Sequence, residues 1–245
     1  DVAGLYEGMN QHYALNYDFK NILSMSFAGA EVSWYRQSPE VLYGSYYDAI
    51  VLHTISRHTS ENSDMLSAKV HASQGFDWRR LKIGASVTYS YYDSPLLVQD
   101  AVVRYTGNSF GVNANISLTP FKWLSVSYQG NYSQSATQQK GQERFPWLRT
   151  VTNKGTLDFT IPGGVTLTAS LYHYYNNFND GDRSFLLLNA EAKYTIKRFS
   201  FTLSCENLLN RKSYLYSSLS ALTESKAIYN IRPRSLLLKI RFRIF

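Results

Sequence analysis

Little in this sequence points to a soluble enzyme. Of its 245 residues one is cysteine, Cys205, so no internal disulfide can form. Six prolines and fourteen glycines exclude collagen-like and linker-rich chains. Charged residues make up 18%, below the roughly 25% of an average soluble domain. The 44% that is hydrophobic leaves too much apolar material for a disordered chain. No apolar run approaches the ~20 residues that a transmembrane helix needs; runs such as Leu186–Leu188 and Leu236–Leu238 are far too short. The chain opens Asp1-Val2-Ala3, without initiator Met or signal peptide, as expected of a processed chain or part of a longer one.

Chemical signatures are equally scarce. Neither GxGxxG nor GxxxxGK[ST] occurs, so no phosphate-cradling loop is expected. The histidines His12, His53, His58, His71 and His173 form no HExxH pair and no Cys/His zinc pattern. His53 and His58, five apart, would point to opposite faces of a strand. No metal and no cofactor is expected. The net charge is +7 and the pI about 9.3. Nucleic-acid binding would need basic and aromatic residues gathered on one wet face. Here basic and apolar side chains alternate, so no nucleic-acid partner is expected.

What the chain does have is period two. From Leu81 to Tyr91 the odd positions are apolar, aromatic or Ala, and the even ones small or polar. Successive strand side chains point to opposite faces, so one face is oily and the other wet. The pattern recurs in Val112–Leu118, Leu124–Tyr132, Val165–Leu171, Leu186–Ile196 and Phe199–Cys205. It predicts about eleven strands: 11–19, 21–36, 46–75, 79–92, 98–119, 121–138, 143–161, 164–179, 183–197, 198–216 and 224–245. Segment 46–75 reads either as one long strand or as a hairpin broken at His58–Asn62.

Tight turns are expected at Asp18–Asn21, Gly75–Arg79, Pro120–Lys122, Pro162–Gly164 and Lys197–Arg198. Longer polar loops are expected at Gln37–Ser45, Asp93–Gln99, Gln138–Gln142, Asn179–Asp182 and Ser217–Glu224. Short turns at one end and longer loops at the other are the layout of an outer-membrane barrel. Aromatics gather near both ends: Phe19, Phe76, Trp78, Phe121, Trp123 and Phe199 by the turns, and Tyr89, Tyr91, Tyr92, Tyr172, Tyr174, Tyr175, Tyr214 and Tyr216 toward the loops. Such rings suit the two headgroup levels of a bilayer. A soluble sandwich also alternates, but here the wet rows carry no second hydrophobic layer. The expected fold is all-β, an antiparallel transmembrane β-barrel. Because single-chain bacterial barrels have even strand numbers, eleven strands imply part of a larger barrel. Splitting 46–75 would give twelve, enough to close alone.

The end of the chain adds a resemblance. Glu206-Asn207-Leu208-Leu209-Asn210-Arg211-Lys212-Ser213-Tyr214 resembles the N-L-F/L-N-K/R-x-Y stretch of TonB-dependent outer-membrane receptors. Tyr229 to Phe245, with Pro233-Arg234 near its start and a terminal aromatic, looks like that family's closing strand, in a style most like the Bacteroidetes type. The resemblance implies a 22-strand barrel filled by an N-terminal plug. Residues 1–245 would be its C-terminal part, with the plug and the TonB-contacting segment outside this sequence. The residues that carry it are Asn207, Leu208, Asn210, Tyr214, Pro233, Arg234 and Phe245. Phe245 departs from the pattern, because it falls in phase with Lys239, Arg241 and Arg243 rather than with the oily row.

Lys239, Arg241 and Arg243 form a basic row expected to face a lumen, since each would cost ~2–4 kcal/mol on the lipid face at the midplane. The row would contact acidic residues of the plug or guide an anionic solute, or else, as the favoured reading, its charges are balanced on neighbouring strands, where Glu191, Lys193, Asp158 and Lys154 also sit on polar rows. His173 is the residue most tempting for chemistry, but no hydrolase signature lies beside it, and no enzymatic activity is expected. Cys205, on an oily row, behaves as a small hydrophobe. Tyr43, Tyr46, Tyr47, Tyr174, Tyr175, Asn176 and Asn177 are rings and amides able to stack on a sugar.

The expected function is import of a solute across the bacterial outer membrane. The expected partners are outer-membrane lipid, the protein's own N-terminal barrel half and plug, a TonB-type energy complex, and a surface lipoprotein that supplements short loops. The alternatives are a non-transporting barrel that serves as docking subunit of a larger assembly, or a complete twelve-strand pore or barrel enzyme.

Overall fold

The computed structural model describes residues 8–48, 51–98, 100–178, 183–220 and 223–243. Their fifteen strands are β1 (Gly8–Asn21), β2 (Ser26–Pro39), β3 (Val41–Asp48), β4 (Val51–His58), β5 (Ser63–Phe76), β6 (Leu81–Val98), β7 (Ala101–Phe121), β8 (Leu124–Gln139), β9 (Leu148–Ile161), β10 (Val165–Asn176), β11 (Ser184–Ile196), β12 (Phe199–Glu206), β13 (Ser213–Ser220), β14 (Thr223–Asn230) and β15 (Ser235–Phe242). A single 3-10 turn, Trp78–Arg80, is the one helical element among the described residues.

Eleven strands form a continuous path, β1-β2-β5-β6-β7-β8-β9-β10-β11-β12-β15, with every neighbouring pair antiparallel. The sheet is open, with β1 and β15 as unpaired edges among the described residues. The remaining four strands are two hairpins at the loop end. Hairpin β3–β4 leans on β6 through a short parallel contact, Gly44↔Leu97 and Ser45↔Val98. A side chain at Gly44 would collide with Leu97, so only glycine permits this approach. Hairpin β13–β14 is a separate two-stranded sheet.

The expected boundaries need correcting at these hairpins. Segment 46–75 breaks between His58 and Ser63, where the second reading put the break, but it is not two passes of the sheet: it holds the end of β3, all of β4 and most of β5, β4 pairs with β3, and only β5 lies on the path. The twelve-strand closure is therefore not formed. Much of Gln37–Ser45, Asp93–Gln99 and Ser217–Glu224 is strand rather than loop, because β2, β3, β6 and the β13–β14 hairpin run through them. The expected strands 198–216 and 224–245 each break in two.

Register explains why the face is continuous. One ladder row reads Phe19, Ala28, Ala72, Ala85, Ala114, Gly130, Asn153, His173, Leu186. It begins at the turn end of β1 and finishes at the loop end of β11, so the strands are staggered in the sense that tilted barrel strands require. Neighbouring rows on the same face carry Leu15, Val70, Val87, Ile116, Leu157, Leu203 and Leu238, all exposed, with Leu15 at 76% and Leu238 at 65%. The opposite rows are polar, including Ser86, Asn113, Asn131 and Thr152.

Aromatic rings border the apolar face. At the turn end Phe121 and Trp123 stack at 5.0 Å, Trp123 and Phe159 at 6.2 Å, and Phe199 meets Phe242 at 4.9 Å. At the loop end Tyr13 stacks on Trp34 at 5.6 Å. Five expected loop-end rings are not in this border. Tyr92, Tyr172 and Tyr174 stand on the polar face, because adjacent residues of a strand alternate, and Tyr214 and Tyr216 belong to the hairpin.

Candidate functional site at the loop end of the polar face

The family-like residues build a corner. Asn207 and Asn210 both adopt left-handed backbone, with φ of 52°, which ends β12 and turns the chain out of the sheet. Asparagine tolerates that region better than most residues. Asn207, 3% exposed, donates from Nδ2 to the carbonyls of Arg211 (2.8 Å) and Arg232 (2.9 Å), and its Oδ1 accepts from the Arg211 N–H at 2.8 Å. The Leu208 N–H donates to the Leu188 carbonyl at 2.8 Å. Arg234 closes the corner: its guanidinium donates to the Leu208 carbonyl at 2.6 Å and its backbone N–H to Asn210 Oδ1 at 3.1 Å. Pro233 sits in the turn between them, after Asn230 ends β14. Phe245 lies outside the described residues.

From this corner β13–β14 folds over the polar face. Tyr214 packs on Phe185 at 5.2 Å and stacks on Tyr229 at 5.1 Å. Asn176 is fully buried and donates to the Ser217 carbonyl and the Tyr174 hydroxyl, both at 3.0 Å. Farther along β13, Leu219 borders a cavity of about 410 Å³ whose other walls include Tyr35, Met65, Tyr92 and Tyr105. In a flat sheet, β11 and β2 would lie seven strand spacings apart, about 34 Å at ~4.8 Å each. Tyr214 to Leu219 is only about 17 Å of strand at ~3.3 Å per residue. The sheet must therefore curl, with the polar face concave and the hairpin lying across its mouth.

The cavity is aromatic and hydroxylated. Tyr92 and Tyr105 meet edge to face at 5.6 Å, and Ser94 donates to Ser63 at 2.6 Å on the same wall. Gly107, opposite Tyr92 in the ladder, leaves room for the tyrosine ring; a side chain there would overlap it. Sequence reasoning missed this group because its residues come from β2, β5, β6, β7 and β13.

Just beyond the loop-end aromatic border, the outer rows become ionic. Arg36 donates to both Asp64 oxygens, at 2.7 and 3.1 Å, and Arg104 bonds Asp93 at 2.7 Å and Glu61 at 3.2 Å. Hydrogen bonding from Arg36 pulls the Asp64 carboxyl below its ordinary pKa, against a smaller push from burial. The bond to Asp93 raises Arg104 in turn.

The basic row does not find the expected partners. Lys239 pairs in register with Thr202, and Arg241 with Ser200, which places both on the polar face, but neither they nor Arg243 makes an ion pair among the described residues. Glu191 instead accepts from Ser204 at 3.0 Å and Asp158 from Thr168 at 2.6 Å. Lys193 lies across from Thr166 and Thr202, and Lys154 across from Gln129 and Tyr172. The carboxylates are one ladder row away, and the nearer hydroxyls capture them.

Of the amides read as sugar-stacking candidates, Asn176 and Asn177 hold the fold instead; Asn177 donates to the Trp147 carbonyl at 2.8 Å and accepts from the Arg149 N–H at 2.6 Å. Tyr46 stacks on His53 at 5.2 Å. Cys205 faces Ala190 and Leu236 on the apolar rows. His173, on the apolar face, has both ring nitrogens engaged: Nε2 with Ser184 Oγ at 2.9 Å and Nδ1 with the Asn153 amide at 3.0 Å. The letters G-x-S-x-G do occur at Gly107–Gly111, but they run along β7 with no strand-to-helix turn, so they form no nucleophile elbow. Among the described residues no three His, Cys, Asp or Glu side chains converge as a metal site.

No protein-family model matches the chain, and no curated protein matches it.

Proposed function

We propose that the chain is the barrel wall of a bacterial outer-membrane importer of the TonB-dependent receptor type. The observation that carries this reading is the unbroken apolar face across eleven antiparallel strands, bordered by aromatic rings at both ends and backed by a polar concave face. Large exposed hydrophobics on this scale need an apolar solvent, because a water-soluble surface rarely holds so wide a patch. The stagger of the strands and the ionic row beyond the loop-end rings agree with a bilayer-spanning band. The corner built by Asn207, Asn210 and Arg234 gives the family-like residues a physical role.

In this reading the open edges at β1 and β15 pair with further strands, since an unpaired edge in lipid leaves backbone groups unsatisfied. Those strands belong to the protein's own N-terminal barrel half, which also carries the plug. Lys239, Arg241 and Arg243, lacking carboxylate partners in the sheet, face that plug or the solute path. A TonB-type complex supplies energy through the plug segment, and a surface lipoprotein completes solute capture at the loop end. The aromatic cavity under Leu219 is the first contact for the solute.

A second reading draws on the hairpin across the mouth. A lumen closed by β13–β14 suits a docking subunit that transports nothing.

Nitroxide labels placed singly at Leu15, Val87, Leu157 and Leu203 should report lipid, and labels at Ser86, Asn113 and Thr152 should report water, in native outer membranes. Water at the first set ends the membrane reading. No uptake with the barrel intact would favour the docking subunit, and uptake that survives de-energising the inner membrane would remove the energy-coupled importer.

A further inference from the structure

We propose that Ser184 is a nucleophile, activated by His173 and oriented through Asn153, that cleaves fatty-acyl esters of membrane amphiphiles. The three residues come from neighbouring strands β11, β10 and β9 and share the apolar face. Asn153 and His173 are direct ladder partners, while Ser184 lies one diagonal step away, opposite Tyr175. The contacts link the groups that nucleophilic catalysis uses: Ser184 Oγ lies 2.9 Å from His173 Nε2, the Asn153 amide Nδ2 donates to His173 Nδ1 at 3.0 Å, and the amide Oδ1 accepts from Tyr128 at 2.7 Å. A Ser–His pair steadied by a third polar group is recognised by such roles, not by sequence position. Ser184 is exposed, so a substrate can reach it.

The surroundings select the substrate. Polar side chains on an apolar face are costly unless satisfied, and here four are linked in one chain. Beside them Gly155 leaves a bare strip: a Cβ there would meet no atom within 4 Å. It lies between Tyr128 and Leu171 in the ladder, a strip an acyl chain can occupy. The tyrosines Tyr128, Tyr132 and Tyr175 lie around the network on the same face. That assignment of a lipid substrate rests on the membrane reading, whereas activation of Ser184 does not.

The reaction balances with water alone. His173 Nε2 takes the Ser184 proton as Oγ bonds to the ester carbonyl carbon. The C–O bond to the alcohol breaks, and His173 returns the proton to that alcohol. Water, deprotonated by His173, then attacks the acyl-serine, which releases the carboxylic acid and restores Ser184. This needs Nδ1 to carry hydrogen and Asn153 to present Oδ1. The amide reaches that state by a half-turn about its side chain, with Nδ2 then donating to the Tyr128 hydroxyl, two orientations that heavy-atom positions do not distinguish.

The test is fluorophosphonate labelling of the purified protein in detergent, with the site located by mass spectrometry, alongside hydrolysis of glycerophospholipid vesicles and of an acylated-saccharide lipid. Label is expected on Ser184, absent in Ser184→Ala, and slower by about 100-fold or more in His173→Ala. Asn153→Asp, which can only accept from Nδ1–H, should keep or raise the rate, whereas Asn153→Leu should lower it; a merely structural network would not separate these two. The faster-cleaved lipid identifies the source of the ester. No label on Ser184 in a protein whose apolar rows still report lipid overturns the proposal. Label on Ser184 with apolar rows in water overturns the lipid substrate alone.

Discussion

Asn207 ties its own turn to the Arg232 carbonyl, 25 positions on, through a 2.9 Å hydrogen bond. The bond joins the start of the β13–β14 excursion to its end. Its removal should release the hairpin. Asn207→Ala removes three part-buried hydrogen bonds, to the Arg211 and Arg232 carbonyls and from the Arg211 N–H, at about 1–3 kcal/mol in total, and sets a Cβ-bearing residue without the amide at positive φ. Asn207→Gly should suffer less, because glycine accepts that backbone. Denaturant midpoints in detergent measure the loss, and proteolysis between 207 and 234 should quicken in the same order.

Gly107 and Tyr92 make the cavity wall together. Gly107→Val should drive the Tyr92 ring from its seat and reshape the space under Leu219. Nitration of Tyr92 followed by mass spectrometry should rise several-fold on the order of what local exposure changes bring, while strand content by circular dichroism stays constant. Unchanged nitration would mean that the ring does not need the glycine.

Asp64 makes stability depend on acid. Its carboxyl titrates lower when folded than when unfolded, because Arg36 holds the charged form. The contribution is therefore fully present above the unfolded carboxylate pKa and is lost as pH falls through the lowered folded value. Both side chains are partly exposed, at 39% and 25%, so the effect is modest and weakens with salt. The melting temperature of the protein should fall more steeply below the ordinary carboxylate range than that of Asp64→Asn.

Val87 and Ser86 are adjacent yet meet different surroundings. In bilayers Val87→Arg should destabilise by ~2–4 kcal/mol if it sits near the midplane, while Ser86→Lys, on the concave face, should change stability far less. Equilibrium refolding into vesicles separates the two. Equal effects would remove the basis for calling one face lipid-facing.

Much of the sheet was legible from residues such as Leu81–Tyr91, because period two is local and each strand carries it independently. The hairpins were not. Ser217–Ser220 is polar and near a turn, yet it is strand, since hairpin pairing beyond the sheet needs no apolar face. Segment 198–216 was expected as one strand, but its alternation ends at Cys205; Asn207 and Asn210 then turn the chain, and bonds to Arg232 and Arg234, far along the sequence, help to fix that turn. Tyr174 and Tyr175 look alike in sequence; the pleat sends one to the polar face and the other to the apolar face. His173 was visible as a lone residue, while its link to Asn153 and Ser184 depends on the registers of β9 and β11.

The order of residues by itself determined an all-β chain with two chemically distinct faces, because side-chain direction along a strand follows from backbone geometry alone. Which strands neighbour one another, that the polar face is concave, and that β13–β14 crosses it were decided only in three dimensions. These depend on ladder register and on contacts between distant segments, and alternation within a single strand carries no information about either.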